Sequence, residues 1–187
     1  MARLRKHSAY SRLERPYTRI SKFKKKSFIK TTPRTKIIAF EMGALNKSFE
    51  YEVNLLCDRD IQIRDNALES ARMSGNRLLE TTLGNSGYKM RIRKYPFHIL
   101  RENPLASGAG ADRMSTGMAH NYGKPIGIAA QVHAGKPLFS LKVNKENLEV
   151  ARHALKRASY KLPCACSIVT QKIADVKAPA AKVVAAN

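Results

Sequence analysis

The sequence predicts an α+β domain with a basic N-terminal arm and a long internal loop. Three observations carry this expectation. Apolar runs of strand length occur without strict alternation with helices, two segments have helical period, and positive charge is concentrated at the front of the chain. A chain of 187 residues suits one core plus tails, and 43% hydrophobic residues are enough to fill it. The expected division is an arm over 1–36, one domain over 37–172 interrupted by a loop over 103–124, and a disordered alanine-rich tail over 173–187.

The formal net charge of +21 would drive an isolated chain apart, so a polyanionic partner is expected. Residues 1–36 hold thirteen Lys or Arg against one acid, Glu14, and the other 151 residues carry only +9. Within that segment Tyr10, Tyr17, Phe23 and Phe28 alternate with Arg12, Arg15, Arg19, Lys22, Lys24, Lys25 and Lys26, and Arg3, Arg5 and Lys6 precede them. Cations interleaved with stacking surfaces grip single-stranded or irregular RNA. A membrane partner is not expected, because no run approaches the ~20 apolar residues of a span and MARLRKHSAYSR lacks the apolar stretch of a signal peptide. Three cysteines, an odd number, suit a reducing compartment, and the expected location is the cytoplasm.

From Thr35 the pattern becomes apolar, and KIIAFEMG (36–43) and SFEYEVNLLC (48–57) read as two strands around a turn containing Gly43 and Asn46, a hairpin or connected strand pair. Asp60 or Asp65 then caps a helix to about Leu83, with Ala67, Ala71, Leu78 and Leu79 on one face and Arg64, Glu69, Arg72 and Arg77 elsewhere. In YKMRIRKYPFHILR (88–101), Tyr88, Met90 and Ile92 alternate with Lys89, Arg91 and Arg93, which gives one apolar and one cationic face. Pro96 makes this either two strands or one bulged strand. IGIAAQV (126–132) and PLFSLKV (137–143) read as a hairpin around Gly135. Asn144 caps a second helix whose Leu148, Ala151, Leu155, Ala158 and Leu162 recur at spacings of three and four, opposite Arg152, Lys156, Arg157 and Lys161. Pro163 ends it and CACSIVTQ (164–171) closes the domain as a strand.

Nucleotide and metal chemistry fail on spacing. ASGAGADRMSTGM (106–118) places Arg113 where a dinucleotide fingerprint needs its last glycine. Gly117 to Lys124 is one residue too long for a P-loop, with Pro125 in place of the magnesium-binding hydroxyl. Cys164-x-Cys166 lacks a second ligand pair and Cys57 stands alone in the sequence, so all three read as small core residues. No catalytic residue, metal or cofactor is expected. The Gly- and Ala-rich loop reads instead as a finger whose glycines permit close backbone approach, with Arg113, His120 and Lys124 as cations.

HILRENP, SGAGADRMSTGM, YGKPIGIAAQVHAGKPLFSLKV and ARHALKRASYKLP closely resemble the archaeal and eukaryotic form of the universal large-subunit ribosomal protein sixteen family, ten-e in archaeal naming. RPYTR (15–19) and ALESARMSGNR (67–77) resemble that family's arm and first helix. The resemblance covers about 3–169. It implies a non-catalytic hammerhead-type α+β fold, a mixed sheet with two packed helices, seated in large-subunit rRNA among neighbouring ribosomal proteins and not self-associating. It also implies that the loop Ser107, Gly108, Ala109, Gly110, Ala111, Asp112, Arg113, Gly117, Met118 and Lys124 approaches tRNA acceptor ends near the peptidyl transferase centre. Candidate rRNA contacts are the arm cations with Tyr17, joined by Arg91, Arg93, His98 and Arg101. Where relatives usually carry G-M-R-x-A-F-G-K this chain has Ala119, not arginine, followed by His120. The same charge also suits a general nucleic-acid-compacting protein or RNA chaperone.

Overall fold

The computed structural model describes residues 5–29, 31–102 and 123–173. The loop residues 103–122, the tail 174–187 and Arg3 lie outside the described residues. Among the described residues eight strands and two α-helices follow one another as β1 (Glu41–Gly43), β2 (Tyr51–Cys57), β3 (Ile61–Arg64), α1 (Asp65–Leu83), β4 (Lys89–Ile92), β5 (His98–Glu102), β6 (Lys124–Val132), β7 (Pro137–Val143), α2 (Leu148–Ser159) and β8 (Cys166–Lys172). They build a five-stranded sheet in the order β1-β4-β7-β2-β8 and a three-stranded sheet in the order β3-β6-β5. Every pairing is antiparallel, so the expected mixed sheet is replaced by two antiparallel ones among the described residues.

The two sheets are related. In the larger one β4, β7 and β2 are neighbours, and the segments next to them in the chain, β5, β6 and β3, are neighbours in the same order in the smaller one. A three-stranded antiparallel ribbon therefore runs through both sheets and bends at a corner formed by Pro96, residues 133–136 and residues 58–60. This overturns the expected β6–β7 hairpin. Lys136 N–H closes a local turn on the His133 carbonyl at 3.2 Å, but β6 and β7 do not pair, and the other turn N–H groups reach β2 and the 58–60 corner: Gly135 N–H donates to the Cys57 carbonyl at 2.8 Å and Ala134 N–H to Asp60 Oδ1 at 2.7 Å. Gly135 takes φ 72°, which a residue with a Cβ rarely adopts. Asp60 is thereby occupied at the corner and caps no helix. The Tyr88–Arg101 stretch is two strands, one on each side of buried Pro96.

The expected pairing of KIIAFEMG with SFEYEVNLLC is also overturned. β1 pairs with β4 (Met42 opposite Met90), and β2 pairs with β7 and β8. Only Glu41–Gly43 is strand, because the N–H groups before it turn to α1. Lys36 N–H donates to Asp65 Oδ2 at 3.0 Å and Ile38 N–H to Glu69 Oε2 at 3.4 Å. Asp65 is thus the first helical residue and no side chain caps α1. Glu69, expected away from the core, is buried and paired with Arg72 at 2.6 Å, and that bond holds its carboxyl below the ordinary range. No Asn144 side-chain cap forms either; a 3-10 turn, Lys145–Asn147, leads into α2.

Val53, Leu55, Met90, Phe139, Leu141, Leu68, Leu79 and Leu155 are fully or almost fully buried where α1 and α2 pack on the larger sheet. Each such side chain contributes about 1.5–3 kcal/mol on burial. The helices lie close at Gly75, where a Cβ would sit 3.5 Å from the Ala154 carbonyl oxygen and 3.6 Å from Ala158 Cβ, in ordinary van der Waals contact. One polar chain crosses this core: Tyr88 donates its hydroxyl to Asn76 Oδ1 at 2.7 Å, and Asn76 Nδ2 donates to Glu80 Oε1 at 2.7 Å. Burial pushes the Tyr88 hydroxyl up to about 12. Tyr88→Phe leaves the Asn76 oxygen facing apolar side chains without a donor. Thermal or urea unfolding is expected to show a loss of about 1–3 kcal/mol.

Candidate nucleic-acid interface

The small sheet determines where the basic arm goes. In β3, β6 and β5, Gln62 opposes Gln131 and His98 opposes Ala129, so these polar side chains share one face. The other face carries Ile61, Ile63, Ala130 and Val132 into the main core. Gln62, Gln131 and His98 are nonetheless buried, because the arm lies over them. Gln62 Nε2 donates to the Tyr10 carbonyl at 3.0 Å. Gln131 Nε2 donates to the Glu14 carbonyl at 2.8 Å and to Gln62 Oε1 at 3.0 Å. Tyr17 N–H donates to His98 Nδ1 at 2.9 Å. Main chain therefore satisfies amides and an imidazole that burial would otherwise leave unpaired.

At Tyr17 the arm reaches the open edge of β5, where Ile99 N–H donates to the Tyr17 carbonyl at 3.4 Å. Ile29 then packs on Ile99 and Ile128 on the reverse face. The arm thus crosses the sheet, rounds its edge and covers backbone groups that would be open to other strands. A layered stack secures the turn: Arg101 lies 3.7 Å over the Tyr17 ring, Tyr17 stacks on Phe28 at 6.4 Å, and Arg19 lies 4.7 Å over Phe28. Arg5 is fixed at the start of the strap by Glu102 at 2.6 Å, and its carbonyl accepts from Arg64.

With its backbone committed to the sheet, the arm turns its charges outward. Lys6, Arg12, Arg15, Arg19, Lys22, Lys24, Lys25 and Lys26 are all exposed, the last three in a 3-10 turn. A cleft of about 340 Å³ opens between the arm and β5, lined by Tyr10, Arg15, Tyr17, Gln62, His98 and Arg101 among others. Arg91 and Arg93 stand elsewhere, on the larger sheet, in a shallow cleft of about 80 Å³ with Lys89, Lys142, Ser140 and Glu52; Arg91 also pairs with Glu41 at 3.1 Å. Lys124 is exposed at the start of β6, opposite Glu102. Of the expected contacts among the described residues, His98 alone is buried, and its ring holds the arm from behind. Gln62 and Gln131, which fix the strap, were missed by sequence reasoning. The available signal is a glutamine at a core-length strand position, IGIAAQV and IQIR.

Cys57, alone in sequence, is not alone in the fold. Its Sγ lies 3.5 Å from Cys164 Sγ, which lies 3.7 Å from Cys166 Sγ. Burial pushes the Cys57 thiol up to about 11, while the bond from Cys164 holds Cys166 below the ordinary thiol value. Among the described residues no group of three or more His, Cys, Asp or Glu is placed to hold a metal ion. No helix among them is long and apolar enough to cross a membrane.

Two outcomes follow for the strap. Gln131→Leu removes the donor to the Glu14 carbonyl and to Gln62, a cost of about 1–3 kcal/mol. Trypsin is expected to cut the arm faster while the main thermal transition persists. His98 accepts a proton reluctantly because burial opposes its charge; Glu14 nearby pulls the value up and Arg101 pushes it down, with a net lowering from 6.5. A lowered value in the docked state means that docking is strongest above pH 6.5 and weakens as pH falls below it. Amide exchange at Tyr17 should accelerate over that window, and the dependence should vanish in His98→Gln.

The chain is 44% identical over 162 residues to the Large ribosomal subunit protein uL16 of Methanococcus maripaludis, covering 87% of this chain and 90% of the relative. It is 42% identical over 163 residues to the protein of that name from Archaeoglobus fulgidus, with 87% and 90% covered. For that of Staphylothermus marinus the identity is 44% over 154 residues, with 82% and 85% covered. The family model described as Ribosomal protein L16p/L10e matches residues 16–169, from the middle of the strap to β8, and the chain belongs to that family of ribosomal proteins, which are not enzymes.

Proposed function

We propose that this chain is a structural constituent of the large ribosomal subunit in the cytoplasm, holding rRNA through its arm without performing chemistry. The single observation that carries the reading is the strap itself. Its main chain is bound to buried Gln62, Gln131 and His98 while its cations face outward, so a charged ribbon is presented in a defined path. Fixing that main chain beforehand lowers the entropy lost when phosphates dock. In the same reading Arg91, Arg93 and Arg101 add phosphate contacts, and the hammerhead-type seat in rRNA places neighbouring ribosomal proteins around the domain. The division into arm 1–36, domain 37–172 and tail 173–187 belongs to it as well. The loop from Ser107 to Met118, with Lys124 at its exit, reaches the tRNA acceptor ends near the peptidyl transferase centre.

Each phosphate neutralised contributes about 0.9 to the salt slope on duplex and about 0.7 on single strands. Arg12→Gln with Arg15→Gln and Arg19→Gln is expected to lower the slope for large-subunit rRNA by about 2 to 3. Equal affinity for rRNA and random duplex DNA would instead assign the chain to general nucleic-acid compaction. Deleting 107–116 should leave thermal unfolding nearly unchanged, since Gly- and Ala-rich sequence buries little, and should impair translation in reconstituted subunits. A collapsed fold would refute the finger.

A further inference from the structure

Three thiols that the proposed RNA contacts leave unused meet at the corner of the fold. Cys57 ends β2 and is fully buried, whereas Cys164 precedes β8, Cys166 begins it, and both are partly exposed. All three are free. Cys57 Sγ lies 3.5 Å from Cys164 Sγ, which lies 3.7 Å from Cys166 Sγ, so the middle sulfur touches both others. The backbone around them is fixed. Asp58 N–H donates to the Ala165 carbonyl at 3.2 Å, Arg59 Nη2 to the Pro163 carbonyl at 2.8 Å and Ser167 Oγ to Asp58 Oδ1 at 2.5 Å. Packing alone does not call for this arrangement, since any small apolar side chains would fill the space. Sulfur atoms in mutual contact, two of them within reach of solvent, are set up for oxidation and thiol–disulfide exchange.

We propose that Cys57, Cys164 and Cys166 form a peroxide-responsive thiol relay, which locks the edge strand β8 to the end of β2 through a Cys57–Cys164 disulfide. The inference is independent of the RNA-binding reading. Cys166 meets the oxidant, because it is partly exposed and the bond from Cys164 favours its thiolate. Its sulfur attacks hydrogen peroxide: an S–O bond forms, the O–O bond breaks, and the departing hydroxide takes up the thiol proton, leaving a sulfenic acid and water. Cys164 then attacks that sulfur. The S–S bond forms, the S–O bond breaks, and the second oxygen leaves as water with the Cys164 proton. Two electrons have then passed from two thiols to one peroxide. Finally Cys57 attacks Cys164, the Cys164–Cys166 bond breaks, Cys166 leaves as thiolate, and the Cys57 proton goes to solvent. The exchange runs this way because Cys166 is the best leaving group: burial keeps Cys57 protonated, and the bond to Cys166 keeps Cys164 so. The product joins residues remote in sequence, which restricts the unfolded chain and stabilises the fold.

The test treats the reduced full-length chain with hydrogen peroxide, blocks the remaining thiols with iodoacetamide and maps tryptic peptides by mass spectrometry. Wild type is expected to yield Ser48–Arg59 joined to Leu162–Lys172 with one alkylated cysteine, placed at Cys166 by fragmentation. The melting temperature should rise on oxidation and return on addition of dithiothreitol. Cys166→Ala should slow formation of the link by about tenfold or more. Cys57→Ala should stop at a Cys164–Cys166 disulfide within one peptide, and Cys164→Ala should leave a sulfenic acid at Cys166 that dimedone captures. The wild-type map and the Cys164 and Cys166 variants decide the matter even where replacing buried Cys57 weakens the fold. A Cys57–Cys166 link, a link between two chains only, or oxidation of Cys166 to sulfinic acid with no disulfide overturns the proposal. So does a disulfide that forms no faster than in the urea-unfolded chain, or a mass showing a thiol-bound metal ion that protects all three cysteines.

Discussion

Buried polar groups without partners are costly, and in this molecule that cost dictates the course of the arm. Gln62, Gln131 and His98 lie on one face of a three-stranded sheet, and each needs a partner once water is excluded. The arm supplies it with its own backbone, at Tyr10, Glu14 and Tyr17. Because main chain forms these bonds, the side chains between them are free to be whatever the partner requires. Between these contacts lie Ser11, Arg12, Leu13, Arg15 and Pro16, and both arginines are exposed. The Arg101–Tyr17–Phe28–Arg19 stack then fixes where the strap rounds the sheet.

The bend in the ribbon makes that arrangement possible. Had β4, β7 and β2 run straight on into β5, β6 and β3, one flat sheet would have exposed a long face that two helices could not cover. Bending at Pro96, 133–136 and 58–60 separates two tasks. The larger sheet packs on α1 and α2 and forms the core, while the smaller sheet offers one face to that core and the other to the arm. The corner is held by local bonds to Cys57 and Asp60, so it does not depend on an external partner.

Charge is thus distributed over distinct surfaces. The strap carries the densest cations, Arg91 and Arg93 line a cleft on the larger sheet, and α2 turns Arg152, Lys156 and Arg157 to solvent. A large positive charge is tolerable in an isolated domain only at the expense of stability. In the proposed role RNA phosphates would neutralise these surfaces, and relief of the repulsion would add to the binding free energy. Membership of the ribosomal protein L16p/L10e family accords with a chain whose cations face outward on several sides.

The sequence by itself determined the α+β class, both helices, the alternation that buries Tyr88, Met90 and Ile92 beneath exposed Arg91 and Arg93, and the arm as the densest cationic segment. These follow from period and composition, which are local. Strand partners were not legible: KIIAFEMG gives up its first N–H groups to Asp65 and Glu69, and PLFSLKV continues IGIAAQV around a corner where a hairpin was expected. β3 is four residues long, too short for its period to register, and with it Gln62 was overlooked. Gln131 and His98 gained their importance only when distant segments brought them side by side. Tertiary structure alone decided these points, because hydrogen-bond partners in a sheet and the environment of a buried amide depend on residues remote in sequence, and pattern along the chain does not encode which remote segment arrives.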